Sequence, residues 1–163
     1  MKHNLHREEI AKLPELDVAI VILRQGEDFL LQYRAEDNGA TGLIGGFGGM
    51  IEDEKDGGVG LRAIVRETSE EVGVGENQET ARPLELSEHE FFRQGMVHVV
   101  SDRDGEAVFI NGEIFEAWLE KGLPVVALKS VLRRVRQGDL QKAKAKGELT
   151  PATEDALERY YGI

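Results

Sequence analysis

Leu61-Arg62-Ala63-Ile64-Val65-Arg66-Glu67-Thr68-Ser69-Glu70-Glu71-Val72-Gly73-Val74 is the stretch on which the reading of this chain turns. At about 100° per residue, Leu61, Ile64, Val65, Thr68 and Val72 fall on one side of a helix. Glu67, Glu70 and Glu71 fall on another, within about 100° of arc. Arg62 and Arg66 flank the acidic face. The pattern predicts a helix over 61–72, with Gly73 as a left-handed cap at its end. Three glutamates so placed repel one another. The bland reading is a solvated face, since helix surfaces are routinely charged. The sharper reading is a cation site, because hard divalent cations take several carboxylate oxygens. The i, i+3, i+4 spacing brings the three side chains within reach of one such site.

Upstream lies a glycine-dense stretch from Gly39 to Gly49, with Phe47 inside it. Glycine there lets backbone approach a ligand or another strand closely. Leu43, Ile44 and Phe47 argue for a short strand followed by a tight loop. Further upstream, residues 17–23 read as a buried strand, 24–28 as a turn and 29–33 as the returning strand. Residues 1–16 read as a short helix or ordered tail that Pro14 ends. Downstream, 96–100, 107–110 and 114–119 are strand candidates, with a turn over 101–106. Pro124 is expected to open a helix carrying Val125, Leu128, Val131, Leu132 and Val135, which Gly138 ends or kinks. Residues 142–146 read as a solvated basic face. Thr150-Pro151 reads as the cap and first turn of a last helix through Tyr161. Strands and helices interleaved around one core favour an α/β or α+β class.

Composition sets the outer bounds. The 163 residues fit one domain, and 40% apolar with 31% charged is an ordinary globular balance. The absence of cysteine excludes disulfides, thiolate metal sites and cysteine catalysis. The apolar run over 18–23 is too short to span a membrane, and the first six residues lack the apolar centre of a signal peptide. A cytoplasmic protein with no membrane partner is expected. A net charge of −11 opposes binding of a nucleic-acid polymer.

Gly48-Gly49-Met50-Ile51-Glu52, followed by residues 66–74, resembles the Nudix box, G-x5-E-x7-R-E-U-x-E-E-x-G-U with U a bulky aliphatic residue. Thr68 stands where the aliphatic residue is usual. The span from Gly49 to Arg66 is three residues longer than the pattern, and Lys55 occupies the place of the intermediate glutamate. The extra residues fit best in the stretch 57–60. They predict a longer, more mobile loop in which Glu54 or Asp56 substitutes for the missing carboxylate.

The resemblance implies a Nudix-type α/β/α sandwich with a mixed β-sheet between helices. It implies a single domain over 1–163, with a core of about 17–137 and a helical tail over 138–163. Glu67, Glu70, Glu71 and the Gly48 carbonyl would bind Mg2+, with Mn2+ as the alternative. The catalytic set would be these glutamates and Arg66, which orients a glutamate or bridges to a loop carboxylate; in some members the residue matching Glu67 is the general base. Arg34, Phe47 and Gly49 are expected to contact substrate, although an arginine at a strand end is as commonly solvated. The activity implied is Mg-dependent hydrolysis of a diphosphate linkage in a nucleoside diphosphate joined to another group. A housecleaning nucleoside triphosphate pyrophosphatase and a non-catalytic nucleotide-sensing or partner-binding domain stand as alternatives. The partner is a small nucleotide, and a homodimer is compatible with the sequence. Outside the box, Glu106, Glu113 and Glu116 are candidates for a downstream catalytic glutamate. Trp118 reads as core, and His89 and His98 as packed or exposed side chains without metal partners.

Overall fold

The structure, a computed structural model, describes residues 5–34 and 42–163. Gly39 lies outside the described residues. In chain order the elements are α1 (Arg7–Ile10), β1 (Glu15–Gln25), β2 (Asp28–Tyr33), β3 (Ile44–Gly45), β4 (Phe47–Met50), α2 (Asp53–Asp56), α3 (Gly60–Glu71), β5 (Val72–Val74) and β6 (Arg82–Pro83). A 3-10 turn (Glu88–Glu90) follows, then β7 (Phe92–Arg103), β8 (Glu106–Trp118), β9 (Val125–Ala127), β10 (Val131–Val135), α4 (Gln137–Ala145) and α5 (Pro151–Tyr161).

Strand β1 is the axis of the molecule. It runs parallel to β8 and antiparallel to β2 and β4, so the sheet is mixed. The path runs β10-β2-β1-β8-β7, with β3 on β2 and β4 on β1. Side chains alternate across β1. Ala19, Val21 and Leu23 join a core with Ala63 and Ile64 of α3, and Ile22 joins a second core with Leu140, Ala143, Ala156 and Leu157 of α4 and α5. A strand covered on both faces reads as a continuous apolar run, which is why 18–23 shows no polar alternation. The result is the α/β/α sandwich implied by the resemblance. A fully buried side chain such as Ile64 stabilises this arrangement by about 1.5–3 kcal/mol.

One edge of β1 is shared. Leu23 to Gln25 pair with β2, and Val18 to Val21 pair with β4. Gly48 and Gly49 therefore lie inside a strand, not in the tight loop expected after 44. A side-chain carbon on Gly48 would collide with the Ala19 carbonyl, and one on Gly49 would stand 2.5 Å from Glu67 Oε1. The glycines are required by close approach of a neighbouring strand and of α3.

Several other expectations need correction. Gly73 is not a helix cap. The chain passes from α3 straight into β5, and Gly73 is needed because Leu128 Cδ2 and Ala81 Cβ would stand 2.8 and 2.9 Å from an added carbon. The helix expected after Pro124 is two strands: β9 pairs with β5, and β10 pairs with β2. Val125, Leu128, Val131, Leu132 and Val135 match helical spacing by coincidence, and the β-branched residues among them suit strands. Gly138 lies in the first turn of α4 instead of ending a helix. The two candidates over 107–119 are one continuous β8, and the hairpin turns at Asp104-Gly105, both with positive φ. Trp118 is 50% exposed, because Phe115 and Ala117 take the α3 side of β8 and leave Trp118 on the opposite side at the strand end. Its ring lies under the Arg24 guanidinium, 4.6 Å from the ring centre. The Thr150 cap is as expected: its side chain accepts from the Thr153 N–H. No helix among the described residues is long and apolar enough to cross a membrane.

Candidate active site

The C-terminal half of α3 lies against β4, and the site is built where they meet. The 12-residue helix buries Ala63, Ile64 and Thr68. That face orients the helix and turns Glu67 and Glu71 toward the glycines of β4. Glu67 sits over Gly49, and Glu71 Oε2 accepts from the Gly48 N–H at 2.9 Å. Glu71 is almost wholly buried, and Arg34 Nη2 donates to its Oε1. Burial raises the Glu71 pKa to about 7. The Arg34 charge and the Gly48 N–H pull it back down, and the Glu67 carboxylate adds to the rise.

Arg66 organises the other side. Its Nε and Nη2 donate to Asp56 Oδ1 and Oδ2 at 2.9 and 2.8 Å, a two-pronged pair. Its Nη1 donates to Glu67 Oε1 at 2.9 Å and to Glu70 Oε2 at 3.4 Å. Nη2 also reaches the Met50 carbonyl at 3.2 Å and Glu52 Oε2 at 3.3 Å. The Asp56 side chain is buried and accepts the Glu52 N–H at 2.8 Å. The hydrogen bonds from Arg66 hold its pKa below the ordinary 3.8, against the opposing effect of burial.

Above the glycines runs a cleft of about 360 Å³ lined in part by Arg34, Gly48, Gly49, Glu67, Glu71 and Arg103. It shares Val18, Arg34, Gly48, Gly49, Ser101 and Ile110 with a more apolar cavity of about 190 Å³ that reaches Thr150 and Thr153 at the start of α5.

A family model for the NUDIX domain matches residues 13–138. The chain belongs to the Nudix family. This is a family of hydrolases of pyrophosphate bonds that generally use divalent metals, so the enzyme class expected from the sequence holds. No curated protein matches the chain. Solved structures do. The chain is similar to the MutT protein of Methanosarcina mazei Go1, at 16% identity over 93% of this chain and 96% of that one, with a TM-score of 0.64. It is similar to a MutT NUDIX hydrolase of Burkholderia pseudomallei, at 21% identity over 89% and 97%, with a TM-score of 0.60. It is also similar to the NUDIX domain of Shewanella oneidensis NrtR, solved in complex with ADP ribose, at 16% identity over 97% and 90%, with a TM-score of 0.58. At these identities the likeness is one of fold.

The Nudix residues named from the sequence are placed unevenly. Glu67 and Glu71 share the cleft, whereas Glu70 is not among its lining residues and accepts from Arg66. Among the described residues, no three His, Asp or Glu side chains are gathered closely enough to hold a cation; Arg34 pairs with Glu71 and Arg66 with Glu67. The donors themselves are carboxylate oxygens, the kind that hard divalent cations take, and Glu67 and Glu71 both line the cleft. Of the two loop carboxylates, Asp56 is the one that meets Arg66, while Glu54 is exposed. The extra residues do not form a loose loop. Helix α2 precedes them, Gly57 and Gly58, both with positive φ, turn the chain, and Gly60 opens α3.

Phe47 corrects an expectation. It is 0% exposed and packs in the core beside Ile64, so it anchors β4 and does not face the cleft. Arg34 does line the cleft, but it is bound to Glu71. Glu113 pairs with Arg93 at 2.8 Å and abuts Gly60, at the end of α3 remote from Glu71. Glu116 takes hydrogen bonds from Tyr161 and Trp118, and Glu106 is exposed in the hairpin. His98 bonds Asn111 and stacks on Phe109, and His89 meets Ser87. The sequence reading missed Ser101 and Arg103 in the cleft, having placed both in a turn. The Asp104-Gly105 pair was the available signal, since it confines the turn to two residues and extends β7 through Arg103.

Proposed function

We propose that this Nudix protein is a Mg-dependent pyrophosphohydrolase that cleaves the diphosphate linkage of a nucleoside diphosphate joined to another group. The observation that carries the reading is the buried Glu71 facing Glu67 across the Gly48-Gly49 backbone, in a cleft that continues into an apolar cavity. Glu67, Glu70 and Glu71 would hold Mg2+ or Mn2+. When bound, the metal supplies charge neutralisation at the phosphates and activation of water. Arg66 holds Glu67 and Glu70 in place from its anchor on Asp56. In the hydrolysis, the oxygen of water bonds to one phosphorus and the bridging P–O bond breaks. Glu67 takes the proton from the water, and the leaving phosphate carries away the bonding pair. The products are a nucleoside monophosphate and a second phosphorylated fragment. The apolar cavity suits the uncharged part of a nucleoside, and the −11 charge is compatible with a substrate arriving as its magnesium complex.

The test is a substrate panel. Purified protein with Mg2+ is given nucleoside triphosphates, nucleotide sugars and dinucleotides, and phosphate is measured after coupling to a phosphatase. Turnover of a sugar- or dinucleotide-linked diphosphate supports the reading. Turnover of triphosphates alone replaces it with a housecleaning pyrophosphatase. Tight nucleotide binding without turnover replaces it with a sensor.

A further inference from the structure

Two arginines line the cleft, and their situations differ. Arg34 is tied to the buried Glu71. Arg103, at the end of β7, is half-buried, and its Nη1 donates to Met50 Sδ at 2.9 Å. A thioether is a weak acceptor for a guanidinium that carries five donors. Glu106 is its register partner across the β7–β8 hairpin, yet no ion pair joins them. Among the described residues no carboxylate neutralises Arg103. A partly desolvated guanidinium without an anion costs free energy that an anionic ligand would recover.

Its position says which anion. Met50 directly follows the two glycines of the site, and its carbonyl accepts from Arg66 Nη2. Arg66 and Arg103 thus approach the same residue, one at its backbone and the other at its side chain. Arg103 lines the cleft together with Glu67, Glu71 and Ser101. The Asp104-Gly105 turn fixes the β7 terminus, so the side chain is presented from a paired strand.

We infer that Arg103 binds a phosphate of the substrate's diphosphate, as the cation of the cleft not already committed to a carboxylate. The inference rests on the proposed activity for the identity of the ligand. A guanidinium fork suits two phosphate oxygens, whereas lysine offers a point charge.

The probe is inorganic pyrophosphate with Mg2+, titrated calorimetrically into wild type, Arg103→Ala and Arg103→Lys. Thermal melts check that each variant is folded. Arg103→Ala is expected to weaken pyrophosphate binding about tenfold, with Arg103→Lys in between. On whichever panel compound is turned over, Arg103→Ala is expected to raise KM by more than it lowers kcat. Pyrophosphate binding by Arg103→Ala within about twofold of wild type, or no binding by wild type, overturns the inference. The two readings fail separately. Turnover with an Arg103→Ala variant that keeps its KM and its pyrophosphate affinity removes this inference and leaves the proposed activity. Pyrophosphate binding lost in Arg103→Ala, with no compound turned over, removes the activity and leaves the phosphate contact.

Discussion

Two arginine–carboxylate pairs flank α3, and they behave in opposite ways. Asp56 and Glu71 are both buried, and each accepts from one arginine and one backbone N–H. Asp56 is held below the ordinary carboxylate range, whereas Glu71 is pushed up to about 7. Asp56 faces Arg66 in a two-pronged pair, with Lys55 adding positive charge. Glu71 has a single bond from Arg34 and faces Glu67. Burial is the largest influence on Glu71, whereas at Asp56 the Arg66 hydrogen bonds outweigh it. The Asp56 pair is a lock on the loop. Glu71, with Arg34 on one oxygen and the Gly48 N–H on the other, lacks the two-pronged partner that Asp56 has.

The largest expected effect falls on the Glu71 side. Glu71→Gln or Glu70→Gln should lower the hydrolytic rate by at least about 10²-fold while far-UV circular dichroism stays unchanged. Full activity in both variants would remove the assignment of these glutamates. Next comes the lock. Asp56→Ala removes the two-pronged partner of Arg66, two charge-assisted hydrogen bonds, and should cost about 3 kcal/mol. Read as a melting temperature, that is a fall of roughly 6–12 °C for a chain of this size. A fall of a degree or two would mean that Glu52 suffices to hold Arg66.

The pH dependence of that difference sharpens the comparison. The folded Asp56 carboxyl ionises at lower pH than in the unfolded chain. Its contribution is fully present above the ordinary 3.8 and disappears as pH falls through the folded value. The stability gap between wild type and Asp56→Ala should therefore be constant near neutrality and shrink in acid below about pH 4. A gap that widened in acid would contradict the lock. The smallest effect is at Thr68, whose buried hydroxyl has no hydrogen-bond partner. Thr68→Val should raise stability by about 1 kcal/mol in urea unfolding.

Legibility in the sequence followed a similar division. Helix α3, strands β1 and β2 and the Thr150 cap were readable because each is specified by local periodicity or local chemistry. The glutamate constellation was readable because one helix carries all of it. Strands β9 and β10 were not, because their partners β5 and β2 are distant in sequence and the apolar spacing happened to suit a helix. Gly73 looked like a cap, although what demands it is Leu128 and Ala81 pressing from other segments. Phe47 and Trp118 exchanged roles for the same reason: which face of a strand is covered is decided by what packs on it. Within the site, the choice between Glu54 and Asp56 depended on how α2 meets Arg66, and Arg103 entered the cleft only because a long hairpin delivers it there.

We propose that similar arginine–carboxylate chemistry makes a lock at Asp56 and a cation site at Glu71. Titration of Mn2+ into wild type, Glu71→Gln and Asp56→Asn, followed by electron paramagnetic resonance, tests it directly. Loss of bound Mn2+ in Glu71→Gln with binding retained in Asp56→Asn is the predicted result. Equal Mn2+ binding by wild type and Glu71→Gln would contradict it.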